Sequence, residues 1–402
     1  MISKKEIKIH PLSSLGAVGK LLDGAGLLYF YKGRLLRSPF KEYQDTFDKI
    51  IGIPFIQETI KTTLTLDWNG EHLPVYAHKH YIHPVRIDEV SHSRRKDFIK
   101  AICSINAEAV KKNIICTDIH ENNIFDTIDG IKWVDLGAFK LLSQGNINAS
   151  FLYTCALVHW HILHTHSPTN RDFNTYFTVN SISDGPLKKA VGMDFSKSES
   201  WEKLNDMVSK LPIGLGTTEW TRYPDKMVAL DNPSHSIKSK IIWELNRDMK
   251  DVKSVTDVGC HIGYYTLLAS KYCDSAIGID IDETCITRAT KYASDLNLPA
   301  KFSSQTVESL TENKFHLFKR FKSDMVMALA IIHHLHKNNK STTPSRFVDL
   351  LKNLSNKYIL IENITLEDLA VYDKVFDSKG IKRIKRFDIT PDDRKLTLYR
   401  IR

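Results

Sequence analysis

Apolar positions along the chain follow two rhythms. From residue 254 onward, short apolar runs alternate with segments of helical period. Ser254–Val258, Ala276–Ile281, Phe302–Thr306 and Tyr358–Ile364 read as buried strands, and a further strand starts at Asp324 and turns into a helix before His336. Tyr264–Tyr272 and Cys285–Leu296 read as helices. Arg383–Ile389 and Leu396–Ile401 flank a turn at Pro391, Asp392 and Asp393, and predict a closing antiparallel hairpin. Strands alternating with helices predict a doubly wound α/β sheet. Ahead of it, Ile237, Ile241, Ile242, Leu245 and Met249 fall at helical spacing and predict an amphipathic lead-in helix over Ser236–Met249.

The first ninety or so residues pair differently. Leu27–Tyr31 and Arg34–Leu36 are joined by Lys32 and Gly33, and Thr63–Trp68 and Leu73–His78 flank Asn69 and Gly70. Both read as hairpins of a small antiparallel sheet. Ile87–Lys112 has helical periodicity, as do Ser150–Leu163 and Asp194–Leu211. Breaks at Pro212–Gly216 and Pro233 predict an α+β domain over 1–210, a linker over 211–236 and an α/β domain over 237–402. Trp220 and Tyr223, in the joint, would pack either over a ligand pocket or between domains.

Composition narrows the class. The chain has 402 residues, 42% apolar and 26% charged, the profile of a globular protein. No apolar run reaches the ~20 residues of a membrane span. The opening Met-Ile-Ser-Lys-Lys-Glu has no signal h-region, so a cytoplasmic location is expected. The six cysteines form no C-x-x-C pair and read as buried thiols. A net charge of +9 permits an anionic partner without requiring one.

The chemistry concentrates at Val255–Thr266, where Asp257, Gly259 and Gly263 have the spacing D-x-G-x-x-x-G between a strand and a helix. Nucleotide-like ligands bind at such strand ends, and the free N–H groups of the turn suit a carboxylate. A dinucleotide fingerprint needs glycines where His261 and Tyr264 stand, so NAD is excluded. Asp280, about twenty residues on, ends the next strand, where a carboxylate accepts from a ribose diol; Asp282 competes for that role. These residues resemble motif I and the following acidic strand end of the class I S-adenosylmethionine (SAM) methyltransferases. The resemblance implies a Rossmann-like seven-stranded sheet and SAM contacts at Asp257, Gly259, His261, Gly263 and Asp280. Gln305, after the third strand, would face the adenine amine. The stretch Ala-Leu-Ala-Ile-Ile-His-His-Leu at 328–335 resembles motif IV, with Ala328 at the site face. His333 is there either a general base or a cap that orders the pocket. The stretch lacks an N/D-P-P-Y/F signature, which argues against a nucleic-acid acceptor.

A second constellation lies in the N-terminal half. Asp118, His120 and Asn123 precede a hairpin that ends at Asp135 and Gly137. The spacing is similar to the catalytic core of the protein-kinase-like superfamily, above all its aminoglycoside-phosphotransferase-like small-molecule kinases. There the first aspartate orients the nucleophile, and positions matching Asn123 and Asp135 hold magnesium with ATP. Cys116 and Thr117 stand where that family has His and Gly, and Arg37 is the nearest counterpart of its strand lysine. Alternatively Asp118 and Asn123 brace a loop in a scaffold. The order of the two constellations resembles bacterial nodulation-associated and polysaccharide-cluster methyltransferases. The expectation is an enzyme that moves a methyl group from SAM to an oxygen or nitrogen of a small-molecule or glycan acceptor, recruited by the kinase-like domain. A bifunctional kinase–methyltransferase and a non-catalytic adaptor stay open, as do the acceptor and the oligomeric state.

Overall fold

A computed structural model describes residues 6–8, 20–22, 25–31, 34–68, 70–79, 81–166, 189–190, 192–211, 213, 230, 233, 236–311, 320–338, 342–389 and 394–401. The chain forms two compact units: Met1–Tyr81, Arg86–Asp88 and Ser93–Gly214 in one, and Ile82–Val85, Glu89–His92 and Leu215–Arg402 in the other. Trp220 and Tyr223 lie outside the described residues, as do the hairpin turns at Lys32, Gly33 and Pro391–Asp393.

The first unit opens with β1 (Glu6–Lys8), β2 (Lys20–Leu22), β3 (Gly26–Tyr31), β4 (Arg34–Pro39), α1 (Lys41–Ile50), β5 (Thr59–Trp68) and β6 (Glu71–His78). These strands make one six-stranded sheet in the order β1-β5-β6-β4-β3-β2. Both expected hairpins are present, but β1 joins parallel to β5. Helix α1, which the hydrophobic pattern did not announce, buries Phe47 and Ile50. Past the two-residue β7 (Val85–Arg86), α2 runs over His92–Lys111. It starts five residues later than Ile87, because Glu89–His92 packs into the other unit. Then follow β8 (Ile114–Cys116), the hairpin β9 (Ile124–Thr127) and β10 (Gly130–Trp133), β11 (Phe139–Leu141), α3 (Ile147–His166) and α4 (Ser198–Ser209).

In the second unit, α5 (Ile237–Asp248) is capped by Ser236, whose side chain accepts from the Ser239 amide. It leads into β12 (Ser254–Val258), α6 (Tyr264–Ser270), β13 (Ser275–Asp280), α7 (Glu283–Asp295), β14 (Ala300–Ser304), α8 (Val307–Thr311) and β15 (Ser323–Ala328). After these come α9 (Ile332–Asn338), α10 (Pro344–Leu354), β16 (Ser355–Asn363), α11 (Leu366–Ser378), β17 (Lys382–Asp388) and β18 (Lys395–Arg400). The seven strands lie in the order β14-β13-β12-β15-β16-β18-β17. The first five are parallel, and β18 inserts antiparallel between β16 and β17. Every residue of β12 is buried, as a central parallel strand covered on both faces requires. The strand order reverses between β12 and β15, which opens a crevice at their carboxyl ends.

The upstream pieces of this unit are tied in by side chains. His83, 1% exposed, bridges Ser275 Oγ through Nδ1 at 2.9 Å and Ser323 Oγ through Nε2 at 2.8 Å. Burial pulls its pKa down to about 4, so the ring is neutral and offers one donor and one acceptor. Arg320 clamps Glu89 with both ends of its guanidinium and donates to the Pro84 carbonyl at 2.8 Å. Among the described residues no helix is long and apolar enough to cross a membrane.

Candidate functional site

Gly259 takes φ +77 and Gly263 φ +81, the left-handed region where a Cβ is strained. A Cβ on Gly259 would stand 2.7 Å from Ile331 Cδ1, so the turn after β12 is roofed by the turn after β15. A Cβ on Gly263 would meet Phe302 and Ala289, so this glycine sets the close approach of α6 to the sheet. Gly259→Arg is therefore expected to destabilise the fold by more than ~2 kcal/mol, through backbone strain and overpacking. Thermal unfolding measures it; an unchanged midpoint would contradict the geometry.

The turn differs from the expected nest of free amides. Gly259 and Cys260 both donate their N–H to the Ile279 carbonyl, at 2.8 and 3.1 Å, and Gly263 donates to Cys260 O at 2.9 Å. The polar groups that remain are carboxylates. Asp257 is 1% exposed; its Oδ2 accepts from Thr266 Oγ1 at 2.8 Å, and its Oδ1 is buried with no partner. Burial raises its pKa to about 7, against the lowering effects of the Thr266 hydroxyl and the Lys238 charge. Such an oxygen fits a cationic donor brought by a ligand.

Asp280 ends β13. Its Oδ2 accepts from the His261 amide at 2.8 Å and its Oδ1 from the Asp282 amide at 2.9 Å. Each oxygen keeps lone-pair capacity, as a vicinal diol would need. Burial raises this carboxyl too, opposed by those two amides. Asp282, the rival, is the N-cap of α7 and accepts from Thr284 N and Cys285 N at 2.9 and 3.0 Å. Gln305 follows β14; its amide N–H donates to the Asp280 carbonyl at 2.9 Å.

Ala328 is fully buried in β15, in register with Val258 on one side and Ile361 on the other. Ala330 takes φ +54 in the turn that follows. His333 sits in the first turn of α9, its ring tilted against that of His334 with 3.8 Å between ring centroids. Glu362 and Asn363 close β16, one residue short of the expected strand end at Ile364, and carried no expected role. Glu362 is fully buried and ion-paired with Lys238, with Arg394 Nη1 at 3.7 Å. Asn363 is also fully buried, and neither Oδ1 nor Nδ2 has a hydrogen-bond partner. An amide left unpaired in the interior costs about 1–3 kcal/mol. Asn363→Leu is thus expected to raise the thermal midpoint by a few degrees; a fall would mean the amide is satisfied in solution.

In the first unit, Asn123 Nδ2 donates to the Asp118 carbonyl at 2.8 Å, and the Val134 amide donates to Asn123 O at 2.9 Å. Asp118 is exposed, 3.6 Å from His120 Nε2. Asp135 Oδ1 accepts from the Gly137 amide at 2.9 Å and lies 3.7 Å from Arg37 Nη2. The Arg37 guanidinium is 3% exposed, and its Nε and Nη1 have no partner. Among the described residues no three or more His, Cys, Asp or Glu side chains are grouped to hold a metal ion.

Residues 255–353 match the family model described as "Methyltransferase domain". The second unit carries a SAM-dependent methyltransferase domain. Solved structures of similar fold include the magnesium protoporphyrin IX methyltransferase ChlM from Synechocystis PCC 6803 with bound SAM, at 16% identity and TM-score 0.32, covering 46% of this chain and 85% of that one. The N-methyltransferase NodS from Bradyrhizobium japonicum WM9 is 13% identical at TM-score 0.32, over 42% of this chain and 97% of its own. WbdD, crystallised with the kinase inhibitor LY294002, is 21% identical at TM-score 0.32, over 48% of this chain and 47% of its own. No curated protein matches the chain. The methyltransferase domain has SAM as its methyl donor, and the carboxylates described above suit that molecule: an ammonium for Asp257 Oδ1 and a ribose diol for Asp280.

Proposed function

We propose that this chain methylates an oxygen or nitrogen of a small-molecule or glycan acceptor, with its first unit recruiting or positioning that acceptor. The observation that carries the site assignment is Asp280, whose two oxygens are each fixed by one backbone amide and left able to accept. In this reading Asp280 holds the ribose, Asp257 the α-ammonium and Gln305 the adenine, while Gly259 lets the backbone approach. SAM supplies an electrophilic methyl on a sulfonium. The protein's task is to align donor and acceptor in line, an effect worth up to roughly 7–11 kcal/mol. His333, at the start of α9, takes the acceptor's proton, and Asn363, at the end of β16, hydrogen-bonds the acceptor. The test is SAM turnover against a panel of nucleotide sugars and lipid-linked glycans. Turnover lost in His333→Ala with SAM affinity retained supports the base assignment; unchanged turnover removes it.

One observation favours a second activity. Arg37, on β4, stands beside Asp135 with its Nε and Nη1 unpartnered. In a bifunctional kinase–methyltransferase, Arg37 would meet ATP phosphates, and Asn123 and Asp135 the magnesium. Asp135→Ala is then expected to abolish ATP–magnesium binding. A wild-type chain that binds no ATP–magnesium leaves Asp118 and Asn123 as braces of their loop. A chain that binds neither SAM nor ATP would act as an adaptor.

A further inference from the structure

A chain of hydrogen bonds runs from the upstream segment Glu89–His92 into the end of β14, and each link fixes the polarity of the next. Its first member is the Glu89 backbone carbonyl, which can only accept. It takes the Ser304 amide at 2.6 Å and the Ser303 hydroxyl at 3.1 Å. Its position is held by the Glu89 side chain, 4% exposed and clamped by Arg320. Ser303 is fully buried. Its single proton is committed to Glu89, so its oxygen can only accept from the remaining neighbour. That neighbour is Gln305, whose side-chain nitrogen lies 3.0 Å from Ser303 Oγ. A glutamine amide is nearly symmetric in shape, and its orientation is set by its partners. Here the partners require the NH₂ end to face Ser303, which turns Oε1 away from Ser303. Gln305 is itself 7% exposed and anchored by its own backbone donation to Asp280 O at 2.9 Å.

We infer that Glu89, acting through Ser303, fixes the orientation of Gln305 and so makes the site selective for a 6-aminopurine over a 6-oxopurine. This rests on Gln305 being the adenine contact. Adenine presents a donor at its 6-amino group, which Oε1 accepts. A 6-oxopurine presents an acceptor there, which Oε1 repels and which a reversed amide would welcome. Reversal would set the Gln305 oxygen against Ser303 Oγ, whose proton is already committed. Selectivity is thereby set by Glu89 and Ser303, residues that do not touch the base. Glu89 reaches the methyltransferase domain from upstream of α2, a position no motif of that domain covers.

The experiment titrates the full-length protein with S-adenosylhomocysteine and with its 6-oxo counterpart, S-inosylhomocysteine. The wild type is expected to favour the adenosyl ligand by about tenfold or more, the size of one polar mismatch at a buried contact. Ser303→Ala frees the Gln305 amide to turn and is expected to bring the two affinities to within about threefold. Ser303→Thr, which keeps the hydroxyl that accepts from the Gln305 amide, separates orientation from loss of the serine itself and is expected to keep the wild-type preference. Full selectivity in a folded Ser303→Ala protein would overturn the inference while leaving the SAM site intact. A wild type that binds neither ligand would overturn the site assignment and the inference with it.

Discussion

Asp280→Ala is expected to weaken SAM binding by at least about a hundredfold. The carboxylate is oriented before any ligand arrives, with one amide on each oxygen. Two ribose hydroxyls donating to a charged acceptor are each worth roughly 1.5–3 kcal/mol, and a hundredfold corresponds to about 2.7 kcal/mol. The substitution also releases His261, whose backbone N–H donates a hydrogen bond to the Asp280 carboxylate and holds its left-handed conformation (φ +54). Asp280→Asn, keeping the shape but losing the charge, is expected to fall between wild type and alanine. Calorimetric titration reads both; full affinity in Asp280→Ala would displace the site.

The second large effect is a pH dependence centred on Asp257. Burial, the dominant cause, raises its carboxyl to about 7 in the folded protein, whereas an unfolded chain titrates aspartate near 3.9. Between those values the native state binds more protons than the unfolded one. Its contribution to stability is therefore complete below pH ~4 and is lost as pH rises through about 7, a difference of several kcal/mol. Asp257→Asn is expected to remove this slope and to make the ligand-free protein more stable than wild type at pH 8. A ligand ammonium on Oδ1 prefers the ionised carboxylate, so wild-type SAM affinity is expected to rise from pH 6 to 8 and the asparagine variant's to stay flat. Thermal scans and titrations across that range check both, and a wild-type stability that climbs through pH 7 would contradict the burial argument.

Much of the second unit was legible because its signals are local. Apolar runs alternating with helices led to the seven-stranded sheet, and the spacing of Asp257, Gly259 and Asp280 marked the strand ends. The rest depended on contacts distant in sequence. Ile87 and Val90 fit a helical period, yet the chain enters α2 only at His92 and Glu89 meets β14 instead, and only the folded chain shows the Ser303 and Ser304 bonds that hold it there. The N–H groups of the glycine turn looked free because their acceptor, Ile279 O, lies on another strand. Asn363 looked like any polar strand end until its burial without partners was visible. In the first unit Arg37 was named only as the nearest counterpart of a strand lysine, and its place beside Asp135 comes from the pairing of β4 between β3 and β6.

The central claim is that one SAM binds the second unit between Asp257 and Asp280. Its most direct measurement is a calorimetric titration of the full-length chain with SAM. The predicted result is one equivalent bound per chain at roughly micromolar affinity, competed by S-adenosylhomocysteine and lost in Asp280→Ala. No binding heat up to ~1 mM SAM, or an isotherm that Asp280→Ala leaves unchanged, would contradict it.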